Sequence, residues 1–254
     1  MVMVIKMEKE KRFGYGRPHS FPADCWKCKR TGVCSAEIIQ NGSVEKIIQK
    51  YLSKEIDLEC LSSNSPDCNL TANAAASKIV DALISTDVST LVEYLRGVPD
   101  REAVTTDNIP QYGDLSIAMY LIPVLLSRIG PIGYVELGKR LFFKEGKRDD
   151  AYRKYAENHC KLAASLDLAT ITKTGNAEAV VSSSVMGELF THLPQDTKDA
   201  LLPRLCLRIP IVQSSLLSEN WHDAARDSLS ILSASTRERR ARDVFEIIEF
   251  ALDE

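Results

Sequence analysis

Between residues 149 and 182 the apolar residues change period, and that change constrains the fold more than any other stretch of the chain. Tyr152, Tyr155, Ala156, Cys160, Ala163 and Leu166 recur at intervals of three and four, the spacing of one helix face. Residues 168–172 and 177–182 then alternate on either side of Lys173-Thr174-Gly175-Asn176. Alternation around a glycine-bearing turn predicts a β-hairpin.

The residues upstream of this switch prepare for it. Asp114 is placed to cap a helix carrying Leu115, Ile117, Ala118, Leu121, Ile122, Val124, Leu125 and Ile129. Pro123 either kinks that helix or puts its true start near Ile122. Gly130-Pro131-Ile132-Gly133 reads as a turn. A short amphipathic helix is predicted over 134–142, with Val135, Leu137 and Leu141 inward and Lys139 and Arg140 outward. Asp149 or Asp150 is the predicted cap of the longer helix to Leu166.

Helix, glycine turn, short helix, loop, longer helix and hairpin, in that order, resemble a winged helix-turn-helix over residues 114–190. The Leu166-x-Leu168 ending of the third helix is part of the likeness. A three-helix bundle with an incidental hairpin would share these letters. The resemblance implies double-stranded DNA as partner, with the third helix in the major groove and the hairpin as a wing over the adjacent groove or backbone. On the third helix Arg153, Lys154, Glu157, Asn158 and Lys161 then face the groove. Lys147 and Arg148 sit at its entry for phosphates, and Lys173, Thr174 and Asn176 at the wing tip. Phosphate contacts give affinity, while Arg153 or Asn158 offers hydrogen bonds to base edges. A protein-binding module with a solvated charged face is the competing reading.

Cys25, Cys28 and Cys34 lie within ten residues, with Lys27, Lys29 and Arg30 interleaved. Two thiolates two residues apart can hold one metal ion from a tight turn, and a structural zinc takes four such ligands. Cys60 or Cys68 is the expected fourth, ahead of His19. The trio also resembles the iron–sulfur staple of certain DNA exonucleases, although there the close cysteines follow the nuclease and here they come first. Spacing alone does not choose between zinc and an iron–sulfur cluster. Segment 1–34 is punctuated by Gly14, Gly16, Pro18, Pro22 and Gly32, and it is too short for a core of its own without a metal or a neighbour.

Charge is unevenly spread. The 254 residues carry a net −3, yet residues 1–34 hold eight Lys/Arg against three Asp/Glu and residues 134–174 hold nine against six. The remainder therefore holds −11, an acidic body behind two basic patches. No apolar run approaches the roughly 18 residues of a membrane span. Seven cysteines, an odd number with three clustered, fit reduced thiols and a metal better than a secreted disulfide framework, which points to the cytoplasm.

Enzyme chemistry finds no constellation. Asp100, Glu145 and Lys147 supply the letters of a metal-dependent nuclease, but they fall in polar loops rather than on adjacent strands. His19, His159, His192 and His222 show no ligand spacing, and neither a Gly-x-Ser-x-Gly elbow nor a phosphate loop is present.

Elsewhere the chain reads as helical. Helices broken at Asn41-Gly42 are followed by a loop over 60–70, a helix capped by Thr71, and another over 89–96. Pro194, Pro203 and Pro210 divide the last part into short pieces, and Ile209-Pro210-Ile211-Val212 is an apolar stretch suited to an interface. Ser235 or Thr236, with Glu238, is the predicted capping box of a last helix whose first turns carry Arg237, Arg239, Arg240 and Arg242. That helix entry resembles one found beside winged helices in bacterial restriction and defence proteins.

The expected fold is thus mainly α: a metal-stapled segment with helices over 1–70, a helical linker region over 71–113, a winged helix over 114–190 and a helical region over 191–254. The expected role is non-catalytic DNA recognition or regulation in a restriction, defence or mobile-element system. The alternatives are a protein-interaction subunit of a larger complex and an iron–sulfur protein of nucleic-acid metabolism.

Overall fold

Short polar side chains start four of the helices, where Ser43, Asp87, Ser184 and Asn220 accept from otherwise orphaned backbone amides. The computed structural model describes residues 35–62, 66–98, 101–141, 146–173 and 178–252. Helices α1 (Ser35–Asn41) and α2 (Val44–Leu52) part at the predicted glycine, and the Ser43 hydroxyl accepts from the Lys46 amide at 3.2 Å. Helices α3 (Leu58–Ser62) and α4 (Pro66–Ile84) occupy most of the stretch expected as a loop. Pro66 takes the first position of α4, where its missing N–H is not needed and its fixed φ suits the helix. Thr71, the expected cap, therefore lies inside α4 rather than before its first turn. Helix α5 (Val88–Arg96) starts at Asp87, whose carboxylate accepts from the Thr90 amide at 2.9 Å.

The apolar run after Asp114 is continuous but not uniformly wound. The Asp114 carboxylate accepts from the Ser116 amide at 2.9 Å. One π-helical turn follows (Ile117–Leu121), then α6 (Ile122–Ile129), with Pro123 in its first turn. The Ile122 amide bonds back to the Ile117 carbonyl, so the widened turn sits where Pro123 would otherwise break the α-helical ladder. Gly130, at φ +74°, ends α6 in a conformation that side chains rarely adopt.

Next come β1 (Ile132–Gly133), α7 (Tyr134–Leu141), α8 (Asp149–Ser165), β2 (Ala169–Thr172) and β3 (Val180–Ser183). All pairing is antiparallel in the order β1-β3-β2. Ile171 and Ile132 flank Val181 in register, and the Thr170 and Ser182 hydroxyls pair across strands at 2.6 Å. The hairpin was expected and β1 was not, because two residues have no period to read. Arg148, not Asp149 or Asp150, precedes the first turn of α8. The two carboxylates lie within that turn, where the helix dipole favours them.

The rest is helical: α9 (Val185–His192), α10 (Gln195–Cys206), α11 (Pro210–Leu216), α12 (Trp221–Ser228), a 3-10 turn (Leu229–Ile231) and α13 (Ala234–Leu252). Pro203 is carried inside α10 rather than ending it. Pro210 opens α11, which buries Ile209, Ile211 and Val212 completely, so this stretch is core and not an exposed interface. Helix α13 begins one residue before Ser235. The Ser233 carbonyl, not a hydroxyl, accepts from the Thr236 and Arg237 amides at 3.0 and 2.8 Å.

Among the described residues the protein is mainly helical with one small sheet, and a single apolar core takes in residues from Ile38 to Ala251. One charged side chain is sunk in it. Arg208, 6% exposed, donates to the Tyr51 carbonyl at 2.7 Å, lies 4.1 Å from the Tyr51 ring centre, and approaches the Asp167 carboxylate at 3.8 Å. Asp167 turns the chain from α8 into β2 at φ +62°, and its carbonyl accepts from the Ser184 hydroxyl that caps α9. Gln213 donates to the Leu52 and Leu207 carbonyls at 3.0 and 2.8 Å. These bonds tie α2, the α8–β2 turn and the α10–α11 junction together. Among the described residues no helix is long and apolar enough to cross a membrane.

Candidate nucleic-acid interface

Helix α8 is held by one face. Tyr152, Ala156, His159, Cys160, Leu162 and Ala163 are buried, against α7 and the sheet. The contact with α7 is backbone to backbone. A Cβ on Gly138 would lie 2.2 Å from the Tyr152 carbonyl oxygen, so only glycine lets the two helices approach this closely. Burial pushes the Cys160 thiol up to about 12, which marks it as an inert core residue.

His159 is a structural pin. Its Nδ1 donates to the Tyr155 carbonyl (2.8 Å) and its Nε2 accepts from the Gly113 amide (3.2 Å), so the ring is neutral with the proton on Nδ1. Burial lowers its pKa, and Asp114 offsets this only in part. The pin fixes the chain entering the π turn against the back of α8.

The opposite face of α8 carries the polar side chains, and ion pairing sorts them. Arg153 pairs with Asp150 at 3.2 Å and Lys161 with Glu157 at 2.7 Å, both within the helix. Lys139 of α7 reaches Asp149 at 3.1 Å. Lys154 and Asn158, one turn apart, make no side-chain hydrogen bond or ion pair among the described residues. The side chains of Lys147 and Arg148 at the helix entry are likewise unpaired, and with Lys154 and Asn158 they line one shallow depression. The sequence grouped Arg153 with Lys154. The structure sets Arg153 to the flank and makes Lys154, Asn158 and Lys161 the middle of the face.

Lys154, Asn158 and Lys161 also line a second, more polar cleft of about 200 Å³, whose far wall is the 106–111 loop and Arg240 of α13. Sequence reasoning missed this wall. In the sequence these residues fell within the expected helical linker region over 71–113, and the α13 arginines were a helix entry. Arg240 donates to the Pro110 carbonyl at 3.0 Å and to Gln111 Oε1. Tyr112 donates to the Asp243 carbonyl at 2.7 Å. The loop is therefore strapped to α13 and stands beside α8.

Lys173 is exposed at the end of β2, whereas Thr174 and Asn176 lie outside the described residues. So do Cys25, Cys28, Cys34, Lys27, Lys29 and Arg30. Of the remaining expected metal ligands, Cys60 belongs to α3 and Cys68 to the first turn of α4. Among the described residues no group of three or more His, Cys, Asp or Glu side chains is placed to hold a metal ion.

No protein-family model matches this chain, and neither curated proteins nor solved structures gave a match.

Proposed function

We propose that residues 114–190 form a winged helix and that the protein binds double-stranded DNA through the outer face of α8, as a recognition or regulatory protein without catalysis of its own. The observation that carries this reading is the sorting of α8. One face is locked to α7 and a β1-β3-β2 sheet, while Lys154 and Asn158 stand unpaired on the other with Lys147 and Arg148 at its end. A helix so held can be pressed into a groove without deforming. Free ammonium groups suit phosphates, and an amide suits an adenine edge. On this reading the β2–β3 hairpin, with Lys173, would serve as the wing against the backbone. The test is binding of the full chain to duplex DNA across a salt series, because counterion release makes such affinity fall steeply with salt.

A second reading, a protein-interaction subunit, is favoured by the ion pairs that dilute this face, Arg153–Asp150 and Lys161–Glu157. Stable co-purification with a protein partner and no retention on DNA at low salt would choose it. The restriction, defence or mobile-element setting rests on the sequence resemblance alone.

We also propose a structural metal on Cys25, Cys28 and Cys34, completed by Cys60 or Cys68, that orders the basic segment of Lys27, Lys29 and Arg30. The support is the spacing of thiols and the shortness of the segment they would staple. Zinc is expected at one per chain in colourless protein. A broad visible absorption band in anaerobically purified protein would replace zinc by an iron–sulfur cluster, and neither metal would remove the staple.

A further inference from the structure

We infer that the cleft between α8, the 106–111 loop and α13 is a phosphate-binding site, so that the anion-binding surface continues from the proposed winged helix onto the C-terminal helix. The inference rests on the DNA-binding reading for its source of phosphate, but not for its chemistry. Three cations, Lys154, Lys161 and Arg240, line the cleft with two carboxylates, Asp107 and Glu157. Glu157 is already neutralised by Lys161 at 2.7 Å, and Lys154 is unpaired.

Arg240 supplies the independent observation. Two of its guanidinium nitrogens are used on Pro110 and Gln111, which fixes the charged group in the wall of the cleft. Burial already lowers the Arg240 pKa, as expected of a cation short of partners. A tetrahedral phosphate presents several acceptor oxygens, enough for an Arg donor and a Lys ammonium together.

The cleft departs from groove reading by a helix alone. The loop that forms its far wall is held on its C-terminal side by the Arg240 strap at Pro110 and the His159 pin at Gly113, and on its other side by Asn108, which accepts from the Thr105 amide and donates to the Ala103 carbonyl. The site is therefore built before a ligand arrives. The phosphate could belong to a nucleic-acid backbone or to a free phosphate-bearing molecule, and the same chemistry serves both.

Proton–nitrogen correlation spectra of the full chain, with the Arg240 Nε–Hε resonance assigned, separate the outcomes. Titrations use inorganic phosphate, with chloride at equal ionic strength as control, and then a short duplex DNA. Saturable movement of the Arg240 resonance by phosphate and not by chloride is the expected result, and Lys154→Ala should weaken it several-fold. Movement by duplex DNA as well makes the backbone the source. Movement by phosphate while DNA fails to bind keeps the site and removes the DNA reading. DNA binding that leaves the Arg240 resonance still, with no response to phosphate, overturns the site and keeps the DNA reading. No change anywhere in the spectrum with either ligand overturns both.

Discussion

Replacing Arg208 by methionine is expected to destabilise the protein by about 3–5 kcal/mol, the usual cost of breaking a buried ion pair from one side. The cost arises mostly from what remains. Asp167 keeps a carboxyl whose pKa burial raises and which Arg208 partly restrains, while Tyr51 loses the guanidinium bonded to its carbonyl and packed on its ring. Three distant parts of the chain meet at this side chain, so the loss should appear in global unfolding and not as local fraying. A companion substitution separates the charge effect from packing. Arg208→Met with Asp167→Asn removes both charges, and asparagine tolerates the φ of +62° at that turn. The double variant is expected to recover most of the stability in urea unfolding. A single variant within about 1 kcal/mol of the parent would mean that the pair holds nothing together.

The second large effect is expected at Gly138. Alanine there puts a Cβ 2.2 Å from the Tyr152 carbonyl oxygen and 2.6 Å from its carbon. Backbone atoms cannot swing aside as a side chain can, so α7 and α8 must separate. Overpacking of a core typically costs about 1–3 kcal/mol, and this contact belongs at or above the upper end. Gly113→Ala is the control, since its added Cβ would meet only a Tyr155 ring carbon at 4.0 Å. Thermal unfolding should drop sharply for the first variant and hardly for the second. Equal melting temperatures would contradict the close crossing of α7 and α8. If Gly138→Ala still folds, its DNA affinity should fall, because the tilt of α8 on its support has changed.

Much of this arrangement could be read before the structure. The inward face of α8 followed from its spacing, since Tyr152, Ala156, Cys160 and Ala163 lie one helical turn apart and are buried. The hairpin followed from alternation, which switches off at the turn. What was not legible depends on pairing between distant residues. Strand β1 exists only because Val180 and Val181 offer it a partner. Arg208 gave no sign that it would be buried with Asp167 and Tyr51, far away in sequence. Pro66 fell in the stretch read as a loop and Pro210 was read as a break between short pieces, although each opens a helix, a position where proline is at ease.

The candidate site shows the same division. Lys147, Arg148, Lys154, Asn158 and Lys161 were found from their spacing, because one helix face is a local property. The pairing of Arg153 and Lys161 was not, although Asp150 and Glu157 stand at the i,i+3 and i,i+4 positions that make pairing easy. The second wall of the cleft comes from residues on two other elements, and no local pattern announces it. Of the cysteine trio at 25–34, the spacing remains the whole of the argument.

The central claim, that the outer face of α8 meets the backbone of duplex DNA, is tested most directly by the salt dependence of binding. The parent protein and Lys147→Ala with Lys154→Ala are to be compared by fluorescence anisotropy on one duplex at several salt concentrations. The logarithm of affinity should fall linearly with the logarithm of salt, with a slope of about −0.9 for each phosphate neutralised. The double variant should bind more weakly at low salt, with a slope shallower by about two phosphates' worth. No binding by the parent at low salt, or an unchanged slope in the variant, would contradict the account.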